Sequence, residues 1–326
     1  MSLRDQGKGR SWRKNLEKLY DGIIGLAIGD ALGVPMEFRT RQEIEVNPVS
    51  TMREYGTHGQ PKGVWSDDTS LTLALLDSII KCKGLNYADI MDKFSSWLMY
   101  GDYTATGEVF DVGNATSRAI MSYGRGSTPL ECGMVSEYEN GNGSLMRILP
   151  IAFFLCSHEE LSLNAQVQLI HNVSSLTHRH MRSMVGCGIY VLVAKELILG
   201  QGTLTDLVER GVHAAFAYYD AMSEPEVAAY ERLRNINKFR KLSNEEIKSS
   251  GYVIHTLEAA IWCLLNTDSY KDCVLKAVNL GDDTDTVGAV VGGLAGIYYG
   301  NKNIPLEWLD TIVNRHYIES LCEMFE

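Results

Sequence analysis

A chain of 326 residues, 45% hydrophobic and 22% charged, is long enough to bury a large core, as one big domain or two ordinary ones. Its net charge of −11 disfavours nonspecific nucleic-acid binding, which needs a basic footprint, and none is expected. Seven cysteines without a CxxC pair and eight histidines without HExxH argue against a disulfide framework and against a thiolate or zincin-type zinc site, so reduced core thiols are expected.

The opening residues are polar and basic as far as Lys14 and lack the apolar middle of a signal peptide, so 1–14 is read as a disordered segment ahead of a single domain over 15–326. No apolar run is expected to span a bilayer, since even Val185 to Leu199 is broken by Lys195 and Glu196. A cytoplasmic protein, with a monomer favoured, is the resulting expectation.

From Leu16 to Leu32 the apolar positions Leu16, Leu19, Ile23, Leu26 and Ala27 recur at threes and fours, and the run stops at Gly33 and Pro35. The same spacing predicts helices over 69–82, 87–100, 114–123, 145–156, 165–174, 181–199, 253–266, 270–279 and 286–299. Strand-like alternation is scarce, so the expected architecture is all-α, one compact multi-helix domain around a central pair. Gly25, Gly29 and Gly33 in the first helix, and Gly288, Gly292 and Gly296 in the last, mark backbones packed close together. The stretch 224–250 is dense in charge and reads as a solvated helix pair or a mobile insertion away from the core.

Two acidic clusters open core helices: Ser66-Asp67-Asp68-Thr69, and Asp283-Thr284-Asp285-Thr286 with Asp282 before it. Helix capping alone explains one carboxylate at each. It does not explain at least two at each, because unpaired buried carboxylates are costly. Mg²⁺ or Mn²⁺ would neutralise them, as hard cations prefer carboxylate, hydroxyl and water oxygens. Asp67, Asp68, Asp283 and Asp285 would balance two divalent ions, with Ser66 and Thr286 adding neutral oxygens; a single ion is the fallback. In GNGSLMR, a glycine-rich turn ahead of a helix beginning near Leu145 would offer backbone amides to a diphosphate, and Arg147 would pair with a phosphate or an acidic neighbour. Thr177 is a candidate cap for the helix at Met181, and a structural hydrogen-bonding role is expected for Asp30.

Seven blocks in order, GLAIGDALGVPMEF, SDDT, TGEVFDVGNAT, NGNGSLMR, LTHRH, SGYVIHTLEAAIWCLL and GDDTDTVGAVVGGLAG, resemble the ADP-ribosylglycohydrolase family over nearly the whole chain. The resemblance implies an all-α fold with a dinuclear Mg²⁺ or Mn²⁺ site that cleaves the bond joining ADP-ribose to an acceptor. Carried over, Ser66, Asp67, Asp68, Asp283, Asp285 and Thr286 would bind metal, and Glu37 and Asp111 would be the catalytic carboxylates. Asn142, Gly143, Ser144 and Met146 would line the diphosphate and ribose path, with His178 beside the distal ribose and Tyr252 flanking the nucleotide. Asp282 stands where relatives commonly have a small or neutral residue, and LTHRHMRS lacks the proline that often follows this histidine. The implied substrate is an ADP-ribosylated protein, with arginine the favoured acceptor, or a small ADP-ribosyl compound. A noncatalytic ADP-ribose-binding member of the fold is the alternative. An Mg²⁺-dependent isoprenoid synthase is disfavoured, because Leu71 and Thr72 stand one turn after Asp67 and Asp68 where a DDxxD motif needs a further carboxylate.

Overall fold

The computed structural model describes the backbone of residues 3–325 and the side chains of residues 17–325. The segment 1–14 expected to be disordered therefore lies outside the described side chains. Among the described residues there is no strand. The helices in chain order are α1 (Leu3–Gly33), α2 (Arg41–Val46), α3 (Asp67–Cys82), α4 (Tyr87–Tyr100), α5 (Asn114–Gly124), α6 (Leu149–Cys156), α7 (Leu163–Ser175) and α8 (Met181–Leu199). They continue with α9 (Leu204–Ala221), α10 (Ile236–Phe239), α11 (Val253–Leu265), α12 (Tyr270–Val278), α13 (Thr284–Tyr299), α14 (Leu306–Thr311) and α15 (Arg315–Glu323). They form one compact all-α domain.

The core is organised by an antiparallel crossing of α1 and α13, and glycines make it possible. A Cβ at Gly29 would fall 2.0 Å from the carbonyl oxygen of Gly288, and one at Gly25 would fall 2.5 Å from that of Gly292. Gly296 meets Asp21 O at 2.1 Å in the same sense. Backbones at this separation leave no room for a side chain, so the fourfold glycine spacing reads directly as the helix interface. The stretch Glu17–Met36 is long and apolar enough to cross a membrane by length and composition, which corrects the expectation that no run reaches that length. It is 83% buried against the rest of the fold, as a core helix is.

Other boundaries follow local chemistry. Asn86 caps α4 through Ala88 N and Asp89 N, and Gly101 ends it in the left-handed conformation (φ 77°). The helix expected from Leu145 begins only at Leu149, with 143–147 forming a turn held by Met146 N to Asn142 O at 3.0 Å. Helix α9 was not among the expected elements, although Thr203 and Asp206 form a capping box and Leu207, Val208, Gly211, Val212, Ala215, Phe216 and Tyr219 make a buried stripe. The charged stretch 224–250 is neither detached nor merely solvated. Tyr230, Leu233, Ile236, Phe239 and Ile247 are buried, and Arg232 bridges at 2.9 Å to the buried Glu258 of α11. One apolar anchor per turn suffices to dock short 3₁₀ and α turns whose other faces carry the charge. All seven cysteines are free, six of them buried.

Candidate active site

The close α1–α13 crossing brings three helix ends to one point. At the C-terminal end of α1, a Cβ on Gly33 would stand 2.3 Å from Cα of Asp285, in the first turn of α13. From the same turn of α1, the fully buried Asp30 reaches α3, accepting from Ser66 N (2.9 Å), Thr69 N (3.1 Å) and Thr69 Oγ1 (2.6 Å). Asp30 thus fixes the start of α3, in keeping with the structural role expected of it. Ser66 caps α3 by accepting from Asp68 N, and its hydroxyl donates to Asp68 Oδ2 at 3.0 Å. Thr286 Oγ1 lies 3.4 Å from the same Asp68 oxygen, so the two acidic clusters, 218 residues apart, meet.

All six expected ligands, Ser66, Asp67, Asp68, Asp283, Asp285 and Thr286, are at this junction, and all but the half-buried Asp283 are buried. Burial and mutual repulsion push the Asp67, Asp68 and Asp285 carboxyls well above the usual range, and burial raises Asp283. Asp68 Oδ1, Asp283 Oδ1 and Asp285 Oδ2 are buried with no hydrogen-bond partner among the described residues. Protein interiors seldom leave carboxylate oxygens unmatched. Hard oxygen donors on two helix N-termini with no soft ligand among them fit a divalent cation such as Mg²⁺ or Mn²⁺.

Glu37 and Asp111 reach the junction from loops. Their ligand atoms, with those of His58 and Asp285, lie within 4.8 Å of one another, a set that could hold a metal ion. His58 was not expected from the sequence: it sits in a loop with no motif around it. Its Nε2 makes a very short contact with Glu37 Oε2, and its ring packs 5.3 Å from that of Phe110. Burial raises Glu37 to about 7, with His58 opposing the shift, while the hydrogen bond to Glu37 raises His58. The rim is built from left-handed backbone at non-glycine positions: Phe38 (φ 63°), Asp111 (φ 51°) and Asp282 (φ 60°). Phe38 N donates to Asp282 O at 2.7 Å and Asp282 N to Arg39 O at 2.8 Å, which locks the Glu37 loop onto the approach to α13. Such conformations cost roughly 1–2 kcal/mol each and persist where the surroundings enforce them. The Asp282 side chain is exposed at this rim.

A cavity of about 250 Å³ opens from the carboxylates. Its acidic lining is Glu37, Asp67, Asp111 and Asp283 with Thr286 beside them, and Thr116, Asn142, Gly143, Met146 and His178 complete the wall. Asn142 faces inward: its Nδ2 donates to Asp283 Oδ2 at 2.8 Å and to Thr256 Oγ1 at 2.9 Å, so it steadies a carboxylate. The Ser144 side chain, expected along the substrate path, is turned into the core between Ser174 Oγ (2.9 Å) and Cys187 Sγ (3.4 Å). Arg147 pairs with no acid among the described residues. It is fully buried over the Phe94 ring and donates to Val173 O and Thr177 Oγ1. Thr177 is not the cap of α8; His180 is, through Arg182 N. Tyr252 lies outside the first cavity, in an adjoining cleft with Arg182, Glu137 and Gly141, where its hydroxyl accepts from Arg182 Nη1 at 3.0 Å. The two spaces share Gly141, which makes a strand-like bridge to Tyr252.

An all-α fold that converges buried carboxylates and a histidine on one wall of a polar cavity defines a hydrolase-type centre able to accept a metal ion. The sequence model of the ADP-ribosylglycohydrolase family matches residues 12–326, and the chain belongs to that family. It is 34% identical over 310 residues to the ADP-ribosylarginine hydrolase Tri1 of Serratia proteamaculans, covering 95% of this chain and 79% of that one. It is 30% identical over 310 residues to the ADP-ribosyl-[dinitrogen reductase] glycohydrolase of Rhodospirillum rubrum, covering 91% and 90%. A solved structure described as an ADP-ribosylglycohydrolase-related protein complex superposes with a TM-score of 0.74 at 28% identity, over 96% of this chain and 98% of that one. The protein is accordingly an ADP-ribosyl glycohydrolase.

Proposed function

We propose that the chain releases ADP-ribose from ADP-ribosylated arginine side chains of proteins in a reaction that requires two divalent cations, Mg²⁺ or Mn²⁺. The observation that carries the metal requirement is the trio of buried, partnerless oxygens on Asp68, Asp283 and Asp285. Ser66, Asp67, Asp68, Asp283, Asp285 and Thr286 are the proposed ligands. The arginine acceptor is supported by the names of the 34% and 30% identical relatives, which specify ADP-ribosylarginine and a modified dinitrogen reductase.

Bound cations would supply positive charge that neutralises the carboxylates, grips sugar hydroxyls and acidifies water. The protein's own groups do the rest. Glu37, a buried carboxyl held by His58 beside the proposed ligands, is placed to take up or give a proton, as a group transferring protons to and from water and a leaving group must. Asp111, from the opposite loop, adds negative charge facing the sugar, which favours the oxocarbenium-like state through which glycosidic bonds break. Asn142 holds Asp283 in register, and Gly143 and Met146 shape the wall along which the rest of the ligand lies.

The test is a hydrolysis panel over arginine-linked, serine-linked and small-molecule ADP-ribosyl substrates, with Mg²⁺, with Mn²⁺ and after chelation. Release from arginine-linked substrate alone, abolished by chelation, is the expected result. Release unaffected by chelation would remove the metal requirement, and tight ADP-ribose binding without release from any substrate would show a noncatalytic binder.

A further inference from the structure

Beneath the cavity wall lies a buried cation that the reaction scheme does not use. Arg147 is fully buried without a carboxylate partner, its Nε and Nη1 have no hydrogen-bond partner among the described residues, and its plane rests 4.8 Å from the Phe94 ring centroid. Its Nη2 donates to Thr177 Oγ1 at 2.8 Å, and Thr177 Oγ1 in turn lies 2.9 Å from Nδ1 of His178.

The direction of the second bond follows from the first. A guanidinium can only donate, so Thr177 Oγ1 accepts from it and has one proton of its own to place. Among the described residues the only acceptor within reach of that proton is His178 Nδ1. The electrostatics agree: an imidazole carrying its proton on Nε2 turns its electron-rich Nδ1 toward the guanidinium, whereas a proton on Nδ1 would face a buried positive charge. Burial first, and then the charge of Arg147, drive the His178 pKa down to about 3, so the ring is neutral.

The other edge of the ring is aimed at the cavity. His178 is buried yet lines the cavity wall, and its Nε2 has no hydrogen-bond partner among the described residues. Gly143 leaves the space this requires, since a Cβ there would come 2.8 Å from His178 Cε1.

We infer that Arg147 and Thr177 are positioning residues that lock His178 as the neutral Nε2–H tautomer, so that it presents an uncharged hydrogen-bond donor to an acceptor oxygen or nitrogen of the bound nucleotide. The relay gives the ligand a donor without adding a titrating cation to a cavity that is also lined by carboxylates. It also explains why a buried arginine is kept without an acidic partner: its charge acts through Thr177. The choice of ADP-ribose as probe and the kinetic comparison rest on the hydrolase reading; the tautomer does not.

Long-range ¹H–¹⁵N correlation spectra of the full chain, with His178 assigned by its loss in H178Q, read the tautomer directly. The wild-type protein is expected to show protonated Nε2 and unprotonated Nδ1 at neutral pH, with the Nε2 resonance shifting on titration with ADP-ribose. T177V is expected to lose the single tautomer and to raise the Kd for ADP-ribose and the KM about threefold to tenfold, with kcat changed less than about twofold. T177S, which keeps the hydroxyl, is expected to restore both readouts, and thermal melting of the two variants separates this from loss of fold. A protonated Nδ1 or an imidazolium in the wild type, a Nε2 resonance indifferent to ADP-ribose, or a folded T177V with unchanged tautomer and affinity would each overturn the relay. Failure of hydrolysis on every substrate would remove only the KM and kcat comparison and would leave the tautomer and the Kd for ADP-ribose to decide the relay, so the two conclusions stand or fall separately.

Discussion

Gly33 and Asp285 meet backbone to backbone: a Cβ on Gly33 would stand 2.3 Å from both Cα and N of Asp285. Gly33 has ordinary helical angles (φ −81°, ψ −39°), so space and not backbone freedom demands glycine here. Gly33→Ala must therefore push α13 away from α1 at the turn that carries the carboxylates. Overpacking of this kind costs about 1–3 kcal/mol, which lowers the melting temperature by several degrees, and it weakens divalent-cation binding further by displacing Asp285. Calorimetric melting and cation titration measure the two effects. Gly124→Ala, where a Cβ meets nothing within 4 Å, is the control: it should leave cation binding unchanged and should not lower the melting temperature.

Divalent cations should stabilise the fold, and the effect should depend on pH with a definite sign. Glu37 is raised from 4.5 to about 7 and His58 is raised above 6.5, so the folded protein binds protons more readily than the unfolded chain at these groups. The repulsion they relieve is fully present above about pH 7 and diminishes as pH falls toward 4.5. His171 and His178, lowered to about 4 and about 3, and His255, also lowered by burial, act oppositely as the unfolded imidazoles take up protons, an effect that is small near pH 8 and grows as pH falls through 6.5. Between about pH 8 and 7, where the unfolded histidines are still mostly neutral, the chelated protein should thus gain stability on acidification. Saturating Mg²⁺ or Mn²⁺ should raise stability by about 2.7 kcal/mol per occupied site at a hundredfold excess over Kd. That increment should shrink as protons compete for the same oxygens. Melting temperatures with and without chelator across this range check both signs.

Asn142→Ala removes the donor that holds Asp283 Oδ2 at 2.8 Å and frees Thr256 Oγ1. Groups that orient metal ligands typically matter by 10–100-fold in affinity or activity, and a loss of about that size in kcat/KM is expected. Because the change spares the ligand itself, excess cation should recover part of the loss in Asn142→Ala and none in Asp283→Ala. A cation-concentration series on both variants distinguishes them.

Much of this site can be read along the chain, for reasons that are local. The glycine spacing in α1 and α13, the carboxylate pairs at helix N-termini and the caps are all patterns over a few residues, and they place Asp67, Asp68, Asp283 and Asp285 before any packing is known. Asp30 is legible as a structural residue because only small neighbours surround it. What fails to show is whatever depends on packing between distant segments. Ser144 sits in a turn that suggests a ligand contact, yet its hydroxyl is claimed by Ser174 and Cys187 from α7 and α8. Arg147 resembles a phosphate ligand until the Phe94 ring and Thr177 are placed beside it. Helix α9 differs from these, since its capping box and apolar stripe are present in the sequence and suffice to predict it.

His58 is the clearest case of a residue invisible to motif reading that stands against the reacting groups. It follows Gly56 and precedes Gly59, in a loop where a Cβ at Gly56 would collide with Pro35 O at 1.8 Å; that contact presses the loop onto the Glu37 turn. Thr57 adds a hydroxyl bond to Glu37 O at 2.6 Å, so both the backbone and the carboxylate of Glu37 are held from this one loop. His58→Ala leaves Thr57 in place and removes only the side-chain restraint. Glu37 should then keep its position in the chain but lose its orientation, lowering kcat roughly tenfold, within the range typical for groups that orient a proton-transferring carboxylate, with little change in KM. His58→Gln, which can donate a hydrogen bond without carrying charge, should recover part of kcat if orientation is the role, and none if the imidazole's charge or basicity is what matters. Steady-state kinetics of the two variants on arginine-linked ADP-ribose decide between these, and an unchanged kcat in His58→Ala would leave Glu37 to act without it.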